Sequence, residues 1–257
     1  MHKIILDIGA NSGYFSKYIL EKSNVFRVIA FEPNRRFSAD FEVLKLEYKE
    51  RFDYEVKAVT STNSYAKFYH MSDPNQQINS TLIPNRKGEW NEYTKKNHLS
   101  QINSSTVETC NGRYIKNFFG SKIYMVKIDT QGTDISIARN LLSNLRIDFI
   151  LLEFQATSIK SEFSYKAQKN SLNDLAQIIK DFKLYTVKLL PNSINGSEYN
   201  ILLSRKQTLT KSDKDFINLL LQSPVLKITS KILFIGGVRR QAFFNFLIRF
   251  TLRIARY

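Results

Sequence analysis

The feature that most restricts what this chain can fold into lies at its start, where a strand, a glycine turn and a helix run straight into a second strand. IILDI (4–8) is an apolar run of strand length, and GANSG (9–13) holds two glycines. YFSKYILEKS (14–23) has helical spacing and FRVIAFE (26–32) is another apolar run. A strand that passes through a helix to reach another buried strand is the repeating unit of a doubly wound sheet.

The same rhythm continues along the chain. A long amphipathic run covers about 34–51, and a third strand is expected at 54–59, with SYAKFYH (64–70) as its hairpin partner. After a polar stretch, a helix near 112–119 precedes the strand IYMVKID (123–129), a helix at about 134–145 and the strand DFILLEF (148–154). A further helix at 171–183 leads to LYTVKLL (184–190) and EYNILLSR (198–205), joined by the turn-rich PNSINGS. The expected fold is α/β: a Rossmann-like, doubly wound, mostly parallel sheet with an antiparallel terminal strand. Residues 1–205 make up that domain, and 206–257 read as a basic, helical C-terminal appendage.

Composition removes several classes of function. Cys110 is the only cysteine, so an internal disulfide framework and Cys-rich zinc sites are excluded, and three histidines leave little for a His-based centre. No metal is expected. The first residues enter a strand without the basic and then apolar pattern of a leader, and no run approaches the ~18 apolar residues of a membrane span. A cytoplasmic location is the expectation.

The turn DIGANSG brings Asp7, Gly9, Asn11 and Gly13 to the point where the first strand becomes the first helix. Glycines there let backbone approach a ligand, and the helix start offers unpaired N–H groups to it. Glu32 follows about 20 residues later at the end of the second strand, where an acid can accept hydrogen bonds from both hydroxyls of a ribose. A dinucleotide fingerprint needs G-x-G-x-x-G, whereas this loop has only Gly9 and Gly13. The expected ligand is a nucleoside-bearing cofactor without a pyrophosphate grip.

The form D-x-G-x-N-x-G resembles the first motif of S-adenosylmethionine-dependent methyltransferases. A second block, VKIDTQGTDISIARNLL (126–142), resembles the K-I-D-x-E-G-x-E signature of the FkbM family of methyltransferases. ILLEFQ (150–155) is similar to that family's fifth strand and NSTL (79–82) to its serine-rich segment. The resemblance implies S-adenosylmethionine as cofactor and transfer of its methyl to a hydroxyl on a sugar, glycan or related metabolite. It implies that Asp7, Gly9, Ala10, Asn11, Gly13, Tyr14 and Phe15 hold the cofactor, together with Glu32, Pro33 and Ala58. Ser80, Thr81 and Glu153 are the acceptor-binding candidates. Gln131 and Asp134 stand where the family has Glu, so position 131 lacks a carboxylate.

Asp129, at the end of the fourth strand, is the candidate to take the acceptor's proton or to position its oxygen; capping of the following turn is the competing role. Lys127, two residues earlier on the same face, is expected to pair with Asp129 or Glu153. His70 and His98 flank the polar segment 71–101, whose Trp90, Tyr93 and amides suit a carbohydrate; both histidines are candidate bases near neutral pH, with a plain surface position as the competing reading.

The 38 Lys and Arg against 23 Asp and Glu give +15, which invites a nucleic-acid reading. Enzymes that methylate base amino groups show an Asn/Asp-Pro-Pro-aromatic turn after strand four that holds the flipped base, and here that turn reads Asp129-Thr130-Gln131-Gly132. Nucleic acid is therefore not the favoured partner. Seven of the basic residues and no acid fall in 224–257, with Arg249, Arg253 and Arg256 at helical spacing on an apolar background. That pattern fits a cationic helix lying on an anionic membrane surface, at the inner face of the membrane for a cytoplasmic protein. A third reading is an inactive scaffold, with Gln131 marking lost activity and the tail binding a membrane or partner.

Overall fold

The computed structural model describes residues 2–71, 102–130, 132–155, 172–191 and 198–223. The chain opens with β1 (Lys3–Ile8), α1 (Tyr14–Lys22), β2 (Phe26–Phe31) and α2 (Ser38–Tyr48), the last flanked by single turns of 3-10 helix at Arg35–Phe37 and Lys49–Arg51. β3 (Phe52–Glu55), β4 (Ala58–Val59), β5 (Tyr65–Met71) and β6 (Ile102–Cys110) follow. Then come α3 (Gly112–Phe119), β7 (Lys122–Ile128), α4 (Asp134–Asn144), β8 (Arg146–Gln155), α5 (Leu172–Asp181), β9 (Tyr185–Pro191), β10 (Glu198–Ser204) and α6 (Lys211–Leu221).

Seven strands form one sheet in the order β3-β2-β1-β7-β8-β10-β9. β1, β2, β3, β7 and β8 are mutually parallel, and β10 runs antiparallel to both β8 and β9. The α/β, Rossmann-like, mostly parallel sheet expected from the sequence is thus the observed one. Its antiparallel strand is last in the chain but inserts inside β9 instead of forming the edge.

Parallel strands covered on both faces should be apolar on both, and the period of two sorts their side chains to two cores. Leu6, Ile8, Val126 and Ile128 face the helices α3, α4 and α5. Ile5 and Met125 face α1, α2 and α6. Full burial of such side chains stabilises by about 1.5–3 kcal/mol each, which is what holds the strand ends rigidly enough to carry a site.

The segment 54–59 is not one strand. β3 ends at Glu55 and β4 leaves the main sheet to pair with β6. The hairpin partner of β5 is β6, in register from Tyr65↔Glu108 to Met71↔Ile102, and not the third strand. β6 escapes sequence reading because INSSTVETC is mostly polar, with Asn103, Ser104, Ser105, Thr106 and Glu108 exposed. α6, which the sequence reading assigns to the C-terminal appendage, is fixed to the domain. Thr210 and Asp213 form a capping box at its start, and Phe216 packs its ring against Phe26, Tyr124 and Phe149.

Candidate active site

The carboxyl ends of β1, β2 and β7 meet at the turn Gly9–Gly13. Gly9 has φ +71°, and a Cβ there would sit 1.9 Å from the backbone oxygen of Asp129. Only glycine fits, because the turn and the end of β7 touch backbone to backbone. Gly13, at φ +78°, would push a Cβ to 2.8 Å from Leu44 of α2. Gly9 and Ala10 donate their N–H groups to the carbonyl of Phe31, which ties the turn to the end of β2. The start of α1 follows the turn directly and has no side-chain cap, and a helix N-terminus carries a partial positive charge.

Glu32 is gripped from both sides. The N–H of Asn11 donates to its Oε2 at 2.9 Å and the N–H of Asn34 to its Oε1 at 2.8 Å. Each oxygen retains acceptor capacity for one hydroxyl, the arrangement that two vicinal ribose hydroxyls require. Glu32 is only 6% exposed. Burial pushes its carboxyl up to about 7, against the pull of the two N–H groups and of Lys127.

Asp7 is fully buried beneath the turn. One carboxylate oxygen accepts the Ser16 hydroxyl at 2.7 Å and the other accepts Lys127 Nζ at 3.1 Å. The register between β1 and β7 sets Asp7 directly beside Lys127. Lys127 also donates to the carbonyl of Gly9 at 3.2 Å and lies 3.7 Å from Asp129. Burial depresses the lysine, but the carboxylates of Asp7 and Asp129 outweigh it and hold the ammonium above its ordinary value. Asp7 therefore acts on the turn from below. The sequence points to Asp129 or Glu153 as Lys127's partner, and the structure pairs Lys127 with Asp129 as well as with Asp7.

Asp129 donates its N–H to the carbonyl of Ile8 and keeps its side chain 40% exposed at the mouth of the site. A second acid, at the start of α4, holds the turn after it. Asp134 accepts from the N–H of Gly132 at 3.1 Å, the hydroxyl of Thr130 at 3.2 Å and, more weakly, the N–H of Thr130 at 3.4 Å. Burial, and then the charge of Asp129, push Asp134 up to about 7. This anchoring role escaped sequence reading, which notes only that Asp134 stands where the family has Glu.

Glu153 follows the Ile128↔Leu152 pair by one residue, so it stands on the strand end neighbouring Asp129. Ala10 and Ala58 are buried, and Pro33 is half-buried beside Glu32. Tyr14 projects outward at 75% exposure, whereas Phe15 turns into the core with its ring 5.7 Å below Lys127 Nζ. His70 lies on β5 against Phe68. Ser80, Thr81, Trp90, Tyr93, His98, Gln131 and the tail 224–257 lie outside the described residues. Among the described residues no helix is long and apolar enough to cross a membrane, and no group of three or more His, Cys, Asp and Glu side chains could hold a metal ion.

Residues 7–184 match the family model of the methyltransferase FkbM domain. The chain belongs to that family. Its members' reaction class, methyl transfer, is the one the strand-end geometry serves. Over 82 residues the chain is 34% identical to the tRNA U34 carboxymethyltransferases of two Campylobacter jejuni strains, and the match spans 28% of this chain and 28% of each relative. Among solved structures it is similar to M. capricolum TrmK bound to S-adenosyl-homocysteine, at 12% identity over 98% of this chain and 90% of the other, with a TM-score of 0.44. It is also similar to Aeropyrum pernix fibrillarin with natively bound S-adenosyl-L-methionine, at 10% identity over 78% of this chain and 66% of the other, with a TM-score of 0.43.

Proposed function

We propose that this FkbM-family chain uses S-adenosylmethionine to methylate a hydroxyl oxygen on a sugar, glycan or related metabolite. The observation that carries the cofactor reading is the Glu32 carboxylate, fixed by the N–H groups of Asn11 and Asn34 with a lone pair left on each oxygen. The cofactor supplies an electrophilic methyl on a sulfonium, and the protein's own residues have three tasks. Glu32 accepts the ribose hydroxyls. The Gly9–Gly13 turn gives the cofactor room to lie against backbone. Asp129 receives the proton of the attacking hydroxyl, and Glu153 on the next strand end binds a neighbouring hydroxyl.

RNA is the second acceptor class. It is favoured by the net +15 and by the tRNA enzymes that align with the chain over 82 residues at 34% identity, and disfavoured by the turn Asp129-Thr130-Gln131-Gly132, which lacks a base-holding sequence. A transfer assay with methyl-labelled S-adenosylmethionine offered oligosaccharides, small polyols and total tRNA distinguishes the two. Label in the carbohydrate fraction supports the hydroxyl reading, and label in tRNA alone overturns it. Absence of cofactor binding by calorimetry, even at about millimolar ligand, would sink both and leave the scaffold reading. The basic tail 224–257 is assigned to an anionic membrane surface. Deletion of the tail should abolish co-sedimentation with phosphatidylserine-containing vesicles at low salt, and retention by the shortened chain removes that assignment.

A further inference from the structure

Among the described residues, Lys127 stands between two acids at the strand ends. Lys127 Nζ lies 3.1 Å from Asp7 and 3.7 Å from Asp129, and Glu32 is a further acid on the adjoining strand end. The chain as a whole carries +15, so this grouping of Asp7, Asp129 and Glu32 is opposite in sign to the molecule's net charge. Its parts differ in access. Asp7 is sealed beneath the turn, whereas the Asp129 side chain is 40% exposed and shares the lysine with it. The negative charge that the site offers to an incoming ligand at the end of β7 is therefore that of Asp129.

We infer that Asp129 is the residue by which the site distinguishes the methyl donor from its spent product, by attracting the sulfonium of S-adenosylmethionine more than the neutral thioether of S-adenosylhomocysteine. The inference rests on the cofactor reading above. The two molecules share the nucleoside and the amino-acid tail, so Glu32 and the glycine turn bind them alike. They differ by one methyl and one positive charge, and a preference between them needs a group that senses that charge. Transfer breaks the S–CH₃ bond, forms the O–CH₃ bond and delivers the hydroxyl proton to Asp129. The sulfonium charge and the carboxylate charge thus vanish in the same turnover, and the attraction ends when the product exists. Loss of that proton to solvent restores the site for the next donor.

Calorimetric titration of the full chain with each of the two compounds tests this without an acceptor. The wild type should bind S-adenosylmethionine about tenfold more tightly than S-adenosylhomocysteine, equivalent to about 1.4 kcal/mol. Asp129→Asn should bring the ratio close to one, mainly by weakening the donor, and Asp129→Glu should restore part of it. Raising salt from about 0.05 M to about 0.5 M should narrow the wild-type ratio, a readout that needs no variant to fold. Equal loss of both ligands in Asp129→Asn, or a wild-type ratio that is already one, overturns the inference while leaving the cofactor reading in place. Failure of the wild type to bind either compound overturns the cofactor reading instead.

Discussion

Replacing Glu32 by Gln removes the charge from a side chain that is otherwise the same size, and the outcome can be worked from its surroundings. Both carboxylate oxygens accept a backbone N–H, from Asn11 and Asn34. The amide can satisfy only one of them, and its NH₂ is turned against the other. Hydrogen bonds to a charged group contribute about 1.5–3 kcal/mol each. Loss of two charge-assisted bonds to a ribose should therefore weaken S-adenosylmethionine by at least about 100-fold. Because burial pushes Glu32 up to about 7, the wild-type affinity should rise with pH, by up to about tenfold per unit below that value, and level off above it. The stability of the free protein should move the other way. Between the unfolded value of 4.5 and the folded value of about 7 the folded carboxyl holds the proton more firmly than the unfolded one. Stability therefore falls as pH rises through that window, by about 3 kcal/mol in all. Asp134 also sits at about 7 and adds a stability term of the same sign, but it anchors the turn after β7 and contacts no part of the ribose site. Calorimetry and thermal melts of wild type and Glu32→Gln from about pH 5.5 to 8.5 separate the two. A wild-type affinity that is flat across that range, or a variant that binds as tightly as wild type, refutes the reasoning.

Other perturbations have equally definite outcomes. Gly9→Ala places a methyl 1.9 Å from the Asp129 carbonyl in a left-handed backbone conformation, and should cost at least about 2 kcal/mol by denaturant unfolding; a neutral result would mean the turn is not held against β7. Lys127→Met leaves the sealed Asp7 without its counter-charge and should cost about 3–5 kcal/mol by denaturant unfolding. Phe216→Ala should cost about 3–5 kcal/mol, because its ring fills the space among Phe26, Tyr124 and Phe149; a loss below about 1 kcal/mol would mean that α6 is dispensable to the domain.

The parts of the fold legible in the sequence are those written by local periodicity. β1, β2, β7 and β8 are dominated by apolar residues, and a glycine turn that opens a helix is a local signal of where a ligand approaches. β6 carried no such signal. Its Asn103 to Thr106 face water, so nothing in their composition marks a strand, and only pairing with β5 makes it one. The site divides along the same line. Glu32 was visible because it ends a strand at the expected distance from the turn. The pairing of Lys127 with Asp7 depends on the register between two strands that are far apart in the chain. The grip of Asp134 on Thr130 and Gly132 depends on how a turn folds back on a helix start. Neither is encoded in spacing.

The contact between Gly9 and the carbonyl of Asp129 has a kinetic consequence. With no room for even a methyl between them, the backbone against which the proposed cofactor lies is braced by the same strand end that carries Asp129, the proposed proton acceptor. An acceptor already seated on Asp129 would brace that strand end from the far side and slow exchange beneath it. Turnover should therefore be ordered, with the donor entering first and its product leaving last. In steady-state inhibition the thioether product would then compete with the donor and be noncompetitive against the acceptor, and a pattern showing random entry would mean that the two halves of the site move independently.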